Sequence, residues 1–192
     1  MKKDEKKSIQ KVLKKNKKEL VNYSWIIKIT IVAFTISILF SFLSETVIPK
    51  VSVLIGVLIL IIFILVGIIF DMVGVSVQTA DEAPFHSMNS RRIKGADVAV
   101  KFKKNSDKVS SFCNDVVGDI CGIISGTAGS IIASSLARTF HLNSFITILV
   151  VTGIISAITI GGKALGKGIA INKSNYILYE FAKIISKFYK VK

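Results

Sequence analysis

Apolar residues in this chain gather into long unbroken runs, unlike the alternation of a half-buried strand or the narrow stripe of a surface helix. Two runs without a charge, 29–43 and 51–70, lie back to back, and two weaker ones follow near 120–136 and 145–160. A hydrocarbon layer roughly 30 Å thick takes an apolar helix of about 20 residues, and in lipid the backbone must satisfy its own hydrogen bonds. The pattern predicts an all-α integral membrane protein with four transmembrane helices. The first run follows a basic leader, but it is longer than a signal-peptide core and no small-residue cleavage site precedes the second run, so it reads as a retained helix.

Charge then orients the helices. Of 192 residues 51% are hydrophobic, yet the formal net charge is +14. On a soluble domain that excess would suggest nucleic acid. Beside apolar runs it points instead to the lipid bilayer, its anionic headgroups and the cytoplasmic preference of cationic loops, and no nucleic-acid partner is expected. The leader 1–20 holds nine lysines, 77–110 holds Arg91, Arg92, Lys94, Lys101, Lys103, Lys104 and Lys108, and the tail beyond 162 holds seven more lysines. The remaining connections are nearly bare, with one lysine in 45–50 and only Arg138 and His141 in 137–144. Both termini therefore belong in the cytoplasm of a protein of the cell membrane. The expected organisation is a basic leader over 1–22, solvated or lying on the surface as an amphipathic helix. A first helix with a short outer loop follows over 23–50. The rest, 51–192, is one domain with a basic juxtamembrane helical segment at 77–110 and a basic tail.

Small residues divide the helices into two kinds. The first two runs are rich in Ile, Leu, Val and Phe, as expected of helices that face lipid. In the third, Gly118, Gly122 and Gly126 recur every fourth residue and Ser130 and Ser134 continue the period; in the fourth, Gly153, Ala157 and Gly161 repeat it. Such stripes let helix backbones approach closely, which predicts either a tight helix core or a dimer seam. Asp115 and Asp119 stand where the third run begins, on one α-helical face with Gly122. Carboxylates at membrane depth are costly and commonly mark a cation or a wet cavity, whereas at interface depth they simply suit the positive end of a helix dipole. Cys113 and Cys121 fit neither a redox pair nor a zinc spacing and read as packing residues. His86 and His141 are isolated, and no nucleophile–base order or phosphate loop occurs, so no enzyme activity is expected.

Wording after the second run adds a further signal. The stretch Thr79-Ala80-Asp81-Glu82-Ala83-Pro84-Phe85-His86-Ser87-Met88 follows the pattern Ser-Gly-Ser-Glu-x-Ala-Leu-x-Ser-Leu, matching outright at Glu82 and Ser87. Downstream, Val117-Gly118-Asp119 parallels Ile-Gly-Asn, and the segment from Gly162 through Lys167 to Ala170 parallels Gly-Glu-x-x-Pro-Lys-x-Ile-Ala. In this order the motifs resemble the transmembrane domain of the cyclin M, CorC and CorB family of divalent-cation transporters, over 51–192. That family has three spans with an outer amino terminus, so an added first helix returns the terminus to the cytoplasm. The resemblance implies a homodimer that binds or transports Mg²⁺ and Co²⁺ through oxygens from three helices. Thr79 would give a hydroxyl, Asp119 a carboxylate in place of the family's amide, and 74–79 backbone carbonyls, with Asp115 as a further acid. Lys163 stands where the family has a glutamate. An ammonium group has no lone pair for a metal, so the alternative function is a non-transporting membrane interaction protein in which Lys163 replaces the bound cation.

Overall fold

The computed structural model of the chain describes residues 23–188, and every regular element among them is helical. Helix α1 (Tyr23–Val47) runs into a 3-10 turn (Ile48–Lys50), and α2 (Val53–Thr79) follows. Three short helices come next, α3 (Ala83–Ser90), α4 (Ala96–Lys104) and α5 (Ser106–Ser111). A π-helical turn, Phe112–Gly118, joins α5 to α6 (Asp119–Thr139); α7 (Ser144–Asn172) and α8 (Ser174–Ile185) complete the order. Four stretches are long and apolar enough to cross a membrane: Tyr23–Lys50, Val53–Thr79, Ser106–Thr139 and Ser144–Asn172. The expected surface-lying leader lies outside the described residues, as does the end of the tail. The chain divides into two compact units, Met1–Val32 and Ala33–Lys192, with the boundary inside α1. The described part of the first is helical, and the packing that follows belongs to the second.

Local chemistry sets the ends of these helices. The Ser52 hydroxyl accepts from Ile55 N at 3.5 Å and Asn143 Oδ1 accepts from Phe145 N at 3.0 Å, capping α2 and α7 at their first turns. Pro84 sits in the first turn of α3, where its missing N–H costs nothing, so it begins a short helix. Gly95 precedes α4 with φ +87°, and a Cβ there would come within 2.8 Å of the Lys183 backbone on α8. Only glycine serves both that backbone shape and that approach.

Two apolar clusters form the core. One joins the C-terminal half of α2 (Val73, Val77) to Phe85 of α3, Val98 and Ala99 of α4, Cys113, and Leu178 and Ala182 of α8. The other joins Leu60 and Ile64 of α2 to Ala128 and Ile132 of α6, Ile155 of α7 and Ile48. One face of helix α2 therefore joins both clusters, while Leu54, Leu58, Ile62, Leu65 and Ile69 stay exposed, as expected of a lipid-facing helix. Its own small residues explain the packed face: Gly56 faces Ile132, Gly67 faces Cys121 and Gly74 faces Asn114. Their 11- and 7-residue spacing puts them on one helix face, hidden in the sequence among Ile and Leu.

The striped glycines behave differently. A Cβ at Gly122, Gly126, Gly153 or Gly161 would have no neighbour within 4 Å among the described residues. Close approach inside the chain falls instead to Gly129 against Ile155, and to Gly162 and Gly166 against Ile68 and Met72. Of the two readings of the stripe, a tight core within one chain is thus not what these four glycines provide.

Candidate functional site: a polar cluster between three helices

Between the two apolar clusters, α2 carries Gly67, Asp71 and Gly74 on one face. Gly67 lies against Cys121 and the Gly118 carbonyl, and Gly74 lies against the Asn114 amide. Asp71, one turn from each, is buried, with its side chain 6% exposed. The facing segment is the π-helical turn, whose i→i+5 pattern breaks the regular ladder and is frequent at functional sites. Gly74 is what admits the Asn114 side chain, because a Cβ in its place would collide with the Asn114 carbonyl oxygen.

Helix α7 brings two lysines to the same place, one turn apart. Lys163 Nζ lies 3.8 Å from Asp119 Oδ1 and donates to the Gly118 carbonyl at 3.4 Å. Lys167 Nζ lies 3.9 Å from Asp71 Oδ2. The burials are complementary: Asp119 is 69% exposed beside a 21% exposed Lys163, whereas Asp71 is 6% exposed beside a 53% exposed Lys167. In each pair the less exposed charge thus has a more exposed partner on the facing element, and the four charges sum to zero. Such pairs hold helices in register at a desolvation cost that their separation of nearly 4 Å only partly offsets.

The other expected residues stand elsewhere. Gly118 lies beside Gly67, while Thr79 is 12 residues further along α2, about 18 Å at 1.5 Å per residue. Thr79 and Asp119 are therefore not brought together. The Thr79 hydroxyl donates to Val75 O at 2.9 Å, and Lys103 caps the end of α2 by donating to Val77 O at 3.2 Å and Gln78 O at 2.8 Å. Carbonyls expected as ligands are thus already engaged. Asp115 is exposed, and because the turn between it and Asp119 is π-helical, the four-residue rule that placed both on one face does not hold there. Among the described residues no three His, Cys, Asp or Glu side chains gather as a metal site would require. Glu82, just before α3, and Ser87 on it are exposed; Gly162 packs on Ile68.

No family model, curated protein or solved structure matches this chain.

The remaining candidates resolve simply. His86 Nε2 meets Glu82 Oε1 at 2.9 Å, and this hydrogen bond, ahead of the nearby positive charges, holds the Glu82 carboxyl below the usual carboxylate range. Ser125 bonds its own helix at Cys121 O, and both cysteines are buried and unbridged, as packing residues would be. Asp71 was missed by the sequence reading, and Asn114, noted beside Asp115 and Asp119 at the start of the third run, was given no role. Asp71 directly follows an apolar run that seemed to end at 70, and its signal was a lone acid among apolar residues on both sides.

Proposed function

We propose that this chain is an integral membrane protein of the CorB/CorC type that binds and moves a divalent cation, Mg²⁺ or Co²⁺, at the polar cluster of α2, the π-helical turn and α7. It acts as a homodimer in the cell membrane with both termini cytoplasmic. The observation that carries this reading is the cluster itself, in which the buried Asp71 and its neighbouring charges and oxygens stand between two wholly apolar clusters. Ionisable groups at such depth in an apolar bundle are costly and mark ion paths by default. Two features support the setting. Large apolar side chains stand exposed along the long helices, among them Phe34, Ile38, Leu58, Leu65, Leu149 and Ile158, which lipid covers and water would not. The order of a central helix, short basic juxtamembrane helices and two further long helices is the one the family resemblance implies.

The test is melting temperature against Mg²⁺ concentration for the purified protein and three variants, Asp119→Ala, Lys163→Glu and Lys163→Met. Mass action predicts that Mg²⁺ stabilises the parent, by about 2.7 kcal/mol at one hundred times its Kd. Asp119→Ala should weaken the response and Lys163→Glu should strengthen it. A flat response in all four proteins would refute cation binding.

A second reading is favoured by one specific observation. Lys163 Nζ already lies against both Asp119 and the Gly118 carbonyl, which is the place a cation would take. In that reading the protein is a non-transporting membrane interaction partner with a covalently attached cation. Lys163→Met would then lower stability in metal-free buffer, by leaving Asp119 unpaired, and Mg²⁺ would stabilise only Lys163→Glu.

A further inference from the structure

We propose that Asp71 and Asn114 supply the oxygens of a divalent-cation site of their own, with Lys167 as its tethered counter-ion when no metal is bound. This deepens the cation reading above and rests on it, but it uses residues other than those the family resemblance implies. Two buried oxygens carry the inference. Asp71 Oδ2 and Asn114 Oδ1 are both shielded from solvent, and neither has a hydrogen-bond partner among the described residues. Buried oxygens without donors are rare because each forfeits its hydration.

The amide is oriented for this role. Asn114 Nδ2 donates to Ser110 Oγ at 3.3 Å, which leaves the carbonyl end turned to Gly74. Gly67 and Gly74 both touch the π-helical segment, and Asp71 stands between them on the same face of α2. The resulting donors are hard, one carboxylate and one amide oxygen. Mg²⁺ favours such ligands, using one or two carboxylates and keeping several of its waters.

Lys167 fits the part of a displaceable partner. At 3.9 Å its ammonium neutralises Asp71 without donating a hydrogen bond to it, and its side chain is 53% exposed. A long stem of this kind can withdraw toward polar surroundings while the acid stays in place. Metal and ammonium would then compete for one carboxylate.

Calorimetric titration of the full-length protein in detergent with MgCl₂ tests this, using the parent, Asp71→Asn, Lys167→Met and Asp119→Ala. Asp71→Asn should lower Mg²⁺ affinity by at least about tenfold and Lys167→Met should raise it by about tenfold, the effect of one unit charge at a partly buried site. Should Asp71→Asn fail to fold, Lys167→Met decides alone, since it keeps the acid. If both variants bind as the parent does while Asp119→Ala binds more weakly, this site is overturned and the cation reading stands. If no protein binds Mg²⁺, both are overturned.

Discussion

Gly74 shows how single residues set this cluster. Its missing side chain is the space that Asn114 fills, so Gly74→Ala must displace the amide or part α2 from the π-helical turn. Overpacking of this kind costs about 1–3 kcal/mol, and thermal melting should show the loss, whereas Gly168→Ala, with no neighbour within 4 Å, should melt as the parent does. Glu82 offers a pH readout outside the long helices. Its carboxyl is held low chiefly by His86, so the stabilisation is present above the ordinary carboxyl pKa and fades as pH falls through the lowered folded value. His86→Ala should return the Glu82 titration, followed by NMR, toward the ordinary range; an unmoved midpoint would assign the shift to Lys103 and Lys104 instead. At this scale the sequence was only partly readable. Asp119 and Lys163 were recognised as a pair and do lie 3.8 Å apart, but Thr79 was joined to them by motif order, which carries no distance.

Helices were more legible than residues, because an apolar run long enough to cross a membrane has few other interpretations. All four such runs lie in helices save Val51 and Ser52, which precede α2, yet α2 extends nine residues and α7 twelve residues beyond the apolar stretches that announced them. A helix continues through polar residues when these face a neighbouring helix, and periodicity of hydrophobicity alone does not show that. The π-helical turn was likewise unreadable, since its extra residue per turn has no compositional mark. Packing of the short helices makes a firm prediction. Leu178 of α8 is fully buried in the cluster to which α2, α3 and α4 also contribute, so Leu178→Ala should cost about 2–5 kcal/mol in chemical unfolding. The small-residue stripe predicts a different outcome. With open space at Gly122, Gly122→Leu should leave the folding stability of a single chain unchanged and weaken self-association in sedimentation if the stripe is a dimer seam. Unchanged association would give that face to lipid.

For the whole molecule, topology and flux are the properties that matter, and charge asymmetry speaks to the first. With buried Cys113 and Cys121 replaced by alanine, single cysteines at Lys94 and Ser144 test the orientation proposed from the lysines, which puts them on opposite faces of a bilayer. An impermeant thiol reagent added to intact cells should label Ser144→Cys and spare Lys94→Cys. The reverse pattern would invert the orientation drawn from the lysines.

The central claim, that the cluster between α2, the π-helical turn and α7 passes a divalent cation, is met most directly by ion flux. Protein reconstituted into vesicles loaded with a Mg²⁺-sensitive dye should admit Mg²⁺ down its gradient, and Asp71→Asn and Asp119→Ala should each slow the entry. Flux no greater than in protein-free vesicles, or flux indifferent to both substitutions, would contradict it.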